Sequence, residues 1–179
     1  PVRLLGAPAD TYLSNFHRLA RQGLSGNMKV PTFAGGTIRT EVEFLTGLAL
    51  DFFPGVQYPY FEIAEQHIPG IVRTLSRQGY ETTAIHSFTA NFFDRTTWYP
   101  KTGFRNLLFD ADLAKVGARA CQGIFPGRCD VDVGKVIFKR LRQANKPQFI
   151  YWLTLNTHAP VIADDTLGTT SCKLGTSEW

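Results

Sequence analysis

The chain has 179 residues, room for one domain rather than two, and its 44% hydrophobic and 19% charged content is ordinary for a globular protein able to bury a core. Its net charge of +4 suits an anionic or phosphorylated ligand, yet the lysines and arginines are scattered, with one short cluster at Lys139, Arg140 and Arg142, so no basic stripe interleaved with aromatics offers a nucleic-acid surface. No apolar run approaches the ~20 residues needed to span a bilayer.

Asp10 is placed to cap a helix over 11–22, with Leu13, Phe16, Leu19 and Ala20 on one face and Gly23 at its end. An extended stretch over 27–33 follows. Gly35 and Gly36 then lead through Thr37 into a second helix over 38–48, whose apolar positions are Val42, Phe44, Leu45 and Leu48. Residues 51–61 read as an aromatic loop. A helix over 68–78 ends at Gly79 and delivers a strand from Tyr80 to His86.

Cys121 and Cys129 bracket a loop containing Gly and Pro. A disulfide between them would restrict the unfolded chain and imply an oxidising compartment; two reduced, half-buried thiols are the alternative. Zinc is disfavoured, since the spacing is wrong and no His lies nearby. Cys172 is left over, with its partner expected beyond residue 179. A helix over 131–144 starts after Asp130 and is broken at Asn145-Lys146-Pro147. Residues 148–155 are the most apolar strand, without alternation, as for a strand covered on both faces. Helix, loop, strand, twice over, predicts an α/β layered fold with a largely parallel sheet. The Thr/Gly/Ser-rich tail 163–179 reads as loop. The chain starts at Pro1 without a signal peptide, and both ends together predict a central piece of a longer protein.

Three segments carry candidate chemistry. Gly35-Gly36-Thr37 lets the backbone approach a ligand closely and puts a hydroxyl at a helix start, where free N–H groups favour an anion. Such a hydroxyl needs a base or a metal to become a nucleophile; on spacing alone the plainer reading is an N-cap. His158, in Leu155-Asn156-Thr157-His158-Ala159-Pro160, follows an apolar strand, where sites in parallel sheets lie. Arg95 follows the other strand and could hold a phosphate through two parallel hydrogen bonds, or be a surface arginine paired with Asp94. His86 reads as a core histidine with its polar tip satisfied.

The run Gly35-Gly36-Thr37 with Glu41 and Glu43-Phe44-Leu45-Thr46-Gly47 resembles the nucleophile segment of lipoteichoic acid synthases and related sulfatase-like phosphotransferases of the alkaline phosphatase superfamily. Phe92-Phe93-Asp94-Arg95 after a strand ending in His86 is similar to that family's substrate-binding stretch, and Asn156-Thr157-His158-Ala159-Pro160 to its histidine turn. The three motifs stand in the family's order. The resemblance implies a three-layer alkaline-phosphatase-like (sulfatase) α/β fold, here incomplete at both ends, with residues 1–179 as part of the catalytic domain. It implies a metal-dependent transfer or hydrolysis through a phospho-threonine on Thr37, which would also be a ligand of a divalent metal, Mn2+. Arg95, His158 and Phe93 would bind substrate. The substrate would be a phospholipid head group or other anionic ester, such as phosphoglycerol, and the acceptor a cell-envelope glycan. A membrane anchor is expected outside this stretch, and the catalytic face in the periplasm or on the extracytoplasmic side of the inner membrane. Phe93 stands where the family commonly has Trp. The family's acidic ligand before the first helix and its Asp-His pair near the C-terminus have no counterpart here; Asp164-Asp165 has no following His. The chain alone is therefore expected to lack a complete metal site and to be inactive. The alternatives are a sulfuric-ester hydrolase, disfavoured by the absence of a C/S-x-P-x-R segment, a phosphoethanolamine transferase, or a non-catalytic module binding a glycan or head group.

Overall fold

A computed structural model describes residues 9–32, 36–63, 66–156 and 158. Cys172 and the tail 163–179 lie outside them.

Three strands make a parallel sheet in the order β2-β1-β5: β1 (Glu81–His86) at the centre, β2 (Asn106–Leu108) and β5 (Gln148–Leu153) beside it. Alternate side chains along a strand point to opposite faces, and the two faces feed two cores. Ala84, Phe149 and Tyr151 pack with Val42 and Leu45 of α2 (Thr37–Thr46), Tyr60 of α3 (Pro59–Ile63), Val72 of α4 (Ile71–Arg77) and Trp98 of α5 (Arg95–Thr102). On the other face, Ile85, Ile150 and Trp152 pack with Leu113 of α6 (Asp110–Lys115) and Val133 of α7 (Asp130–Gln143). Helices cover both faces of a parallel sheet, the three-layer α/β arrangement.

The expected elements form, with shifted bounds. The first helix, α1, spans Ala9–Gln22, so Asp10 lies inside its first turn rather than before it. Its apolar face is not covered: Phe16 is 63% and Leu19 59% exposed. Residues 51–61 hold more than loop, because a 3-10 turn at Leu50–Phe52 and the start of α3 at Pro59 fall there. The most apolar strand is not the covered one. Every residue of β5 is half-buried, and β5 is an edge strand among the described residues. The buried strand is β1, with five of its six residues buried although it contains Thr82, Thr83 and His86. Thr82 achieves this by donating its hydroxyl to the Gly103 carbonyl at 3.0 Å, which removes the cost of an unpaired polar group.

The Cys121–Cys129 disulfide is formed, with Cα atoms 4.9 Å apart. It closes a small hairpin of β3 (Ala120–Cys121) and β4 (Gly127–Arg128). Because β1 and β5 run parallel with His86 opposite Leu153, their carboxyl ends open on the same edge, and the candidate site lies there.

Candidate functional site

A cavity of about 310 Å³ lies at that edge. Thr37, Arg95, Phe93 and His158, widely separated in sequence, all line it. Among the described residues its wall includes no Asp or Glu, whereas Arg39, Arg95, His86 and His158 all contribute to it.

Thr37 is the first residue of α2, exposed to solvent. Gly36 occupies the cap position with φ 68°, a left-handed conformation that suits glycine, so Thr37 is not the N-cap. Its hydroxyl sits at the electropositive end of a ten-residue helix. Two residues on, the Arg39 guanidinium donates to the Val56 carbonyl and, at 3.4 Å, to that of Gln57. This ties the 56–58 turn to α2 and brings Tyr58 to the cavity, 5.6 Å from the Phe93 ring.

Arg95 begins α5 beneath the cavity. Phe93 and Asp94 before it adopt φ of 56° and 51°, a left-handed region costly for side-chain-bearing residues. Arg95 is only 2% exposed and is not paired with Asp94, whose carboxylate instead accepts from the Thr97 hydroxyl at 2.9 Å. The guanidinium donates to Glu41 at 3.1 Å, to the Tyr99 hydroxyl at 3.0 Å and to the Phe92 carbonyl at 3.0 Å. Tyr99 in turn donates to Glu41. Burial opposes the arginine's charge, but the Glu41 carboxylate, with the Tyr99 and Tyr60 phenols adding to it, more than offsets this and raises the guanidinium further, so it stays protonated. Burial, then the same carboxylate, raises the phenols of Tyr60, Tyr99 and Tyr151 and keeps them neutral. The fork is thus held by protein partners, and only its remaining N–H groups can meet a ligand.

His86, expected to be a satisfied core residue, is 2% exposed but has no partner of good geometry for either ring nitrogen among the described residues. It lines the cavity instead. Burial, then the nearby Arg95 charge, lowers it to about 3, although the Leu153 carbonyl favours its protonated form. A neutral imidazole can donate from one nitrogen and accept at the other.

His158 follows β5 in a turn closed by its own N–H to the Leu155 carbonyl at 3.0 Å. The turn is fixed from below. The Asp130 carboxylate accepts from the N–H groups of Leu155 at 3.0 Å and Asn156 at 2.8 Å, and the Asn156 side chain accepts from the Asp130 N–H. Phe125, from the disulfide-closed hairpin, meets the His158 ring edge-on at 4.8 Å.

Sequence reasoning found four lining residues and missed Arg39, Tyr58 and Phe125. Arg39, two positions after Thr37, could have been flagged as a cation at a helix start. Phe125 stands alone as an aromatic in a Cys-bracketed loop. Nothing local marks Tyr58, which arrives through a tertiary hydrogen bond. Among the described residues no group of three or more His, Cys, Asp or Glu could hold a metal ion, so the residues present do not complete a cation site.

A family model described as Sulfatase matches residues 2–173. A protein of Rhizobium meliloti (strain 1021) named for cyclic beta-1,2-glucan modification is 31% identical over 144 residues, 80% of this chain and 22% of that protein. The Streptococcus pyogenes phosphoglycerol transferase GacH, solved with sn-glycerol-1-phosphate, matches with a TM-score of 0.64 and 24% identity over 85% of this chain and 40% of its own. The lipoteichoic acid synthase LtaP of Listeria monocytogenes matches with a TM-score of 0.60 and 18% identity over 73% and 31%. The chain spans less than half the length of each of these proteins.

Proposed function

The chain belongs to the sulfatase family, and on that premise we propose that it is part of the catalytic domain of an enzyme that transfers or hydrolyses a phosphate ester through Thr37. The observation that supports this most is the convergence of Thr37, Arg95, Phe93 and His158 on one cavity that no carboxylate lines among the described residues. Such a wall favours an anion, and the α2 N-terminus adds its partial positive charge.

In the proposed reaction the Thr37 oxygen attacks phosphorus and the bond from phosphorus to the donor alcohol breaks. The alcohol leaves with a proton, and a phospho-threonine remains. An acceptor hydroxyl, or water, then attacks that phosphorus and returns the threonine. Arg95 and Arg39 neutralise charge on the phosphoryl oxygens, His158 hydrogen-bonds the head group or leaving oxygen, and Phe93 packs on the head group. The superfamily is generally metal-dependent. Since the described residues do not complete a cation site, any activating ion, Mn2+ by family expectation, would take its other ligands from outside the described residues. The likeness to phosphoglycerol transferases supports phosphoglycerol as the group moved and a cell-envelope glycan as acceptor. The disulfide supports an extracytoplasmic or periplasmic location, with the membrane anchor elsewhere in the protein.

Thr37→Ala in the full-length protein is expected to lower phosphodiester turnover by roughly a thousandfold or more. Mass spectrometry of the wild type with substrate is expected to find a phosphoester adduct on Thr37, carrying the glycerol where phosphoglycerol is the group moved. Near-normal turnover of the variant would remove Thr37 from the reaction. A second reading, a non-catalytic head-group binder, is favoured by the engagement of Arg95 with Glu41; it predicts no turnover by the wild type but retained ligand binding by Thr37→Ala.

A further inference from the structure

The hairpin between Cys121 and Cys129 has no part in the phosphoryl chemistry, yet it is fixed on several sides. Cys121 and Cys129 are buried and disulfide-bonded. The Arg128 N–H donates to the Ser87 carbonyl at 3.0 Å, just past β1, and the Arg128 guanidinium grips Asp110 at 2.8 and 3.1 Å. Gly127 lies so close to this strand end that a Cβ there would sit 2.0 Å from the Ser87 carbonyl oxygen. A loop clamped in this way has little freedom at its tip, and the tip carries Phe125. Its ring stands 4.8 Å from His158, 5.4 Å from Phe92 and 5.5 Å from Phe88. Phe92 continues the wall to Phe93 at 4.4 Å.

A phosphate has no use for these rings, which offer it no donor. Their surfaces can cover carbon, and the faces of Phe92 and Phe93 already carry a cation, the Arg95 guanidinium at 5.7 and 5.5 Å. The cavity therefore has two chemically distinct sides, cations and a helix start for the phosphate and aromatic faces for what is esterified to it. Among the described residues an ammonium-bearing head group would find no carboxylate in this wall and two guanidinium groups instead. From this, and resting on the phosphate-ester reading above, we infer that Phe125 is a specificity-determining residue: it packs on the carbon skeleton of a compact, uncharged alcohol moiety of the substrate, and the Cys121–Cys129 disulfide holds it there.

The test compares three probes on the full-length, disulfide-intact protein by calorimetry: inorganic phosphate, sn-glycerol-1-phosphate and phosphoethanolamine. The wild type is expected to bind glycerol phosphate more tightly than either other probe. Phe125→Ala weakens glycerol phosphate about tenfold, the loss of one ring contact, and leaves inorganic phosphate within about twofold. Phe125→Leu, which keeps the fold's apolar tip, recovers part of the loss, and the Cys121→Ser/Cys129→Ser double variant reproduces it. Equal weakening of all three probes would make Phe125 merely structural, and unchanged binding in every variant would remove it from the site; either overturns the inference. So would wild-type preference for phosphoethanolamine, with the phosphate-ester reading left standing. A wild type that binds no probe at all sinks that reading and this inference together.

Discussion

Glu41 and Arg95, 54 positions apart, form an ion pair out of reach of water. Glu41 stood in the sequence within a recognisable motif, but nothing local could disclose its partner, and Arg95 looked equally able to pair with the adjacent Asp94. Removing one member of such a pair leaves the other charge buried and uncompensated. Glu41→Gln is expected to destabilise the fold by about 3–5 kcal/mol, measured by urea unfolding; a loss under about 1 kcal/mol would mean that the pair is not sealed in solution. His86 gives a second residue-level expectation. Its folded form protonates only near pH 3, whereas the unfolded chain protonates near 6.5. The unfolded state therefore takes up the proton first as pH falls. The contribution of His86 is full above about pH 6.5 and is lost toward pH 3, at up to about 1.4 kcal/mol per unit. Unfolding free energies of the wild type should fall about 2 kcal/mol more than those of His86→Phe between pH 7 and pH 5. Parallel slopes would place the imidazole in water.

At the level of elements, α2, α7, β1 and the disulfide were legible because each carries a local signal: a glycine entry, an apolar stripe, a glycine exit, a Cys-bracketed loop. α5, β2 and α6 were not. α5 contains Pro100, which hides a helix from periodicity reasoning, and β2 and α6 have only three and six residues. Apolarity also pointed to the wrong strand as the covered one, since the interior strand β1 pairs with neighbours on both sides and satisfies Thr82 through a hydrogen bond, while apolar β5 lies half-buried at an edge among the described residues. The hairpin's docking yields the element-level expectation. Gly127→Ala forces a Cβ onto the Ser87 carbonyl and must shift the hairpin, at a cost of about 1–3 kcal/mol. Thermal unfolding of the full-length variant checks this; an unchanged midpoint would mean that the hairpin yields freely.

For the molecule as a whole, the order of three motifs foretold which segments would meet, and the parallel register of β1 and β5 explains why they do: it brings both carboxyl ends to one side. What that order could not foretell is the chemistry contributed by segments with no motif, Tyr58 and Phe125, because each is delivered by a contact between distant elements. The covered faces of the sheet and the uncovered face of α1 both belong to a chain that spans 22–40% of the proteins it matches. One consequence follows from the sealed Glu41–Arg95 pair. Dissolved ions screen charges they can approach, and they cannot approach this one. Raising the ionic strength thus dulls the pull of the open cavity on an anion while leaving the pair that shapes its floor untouched.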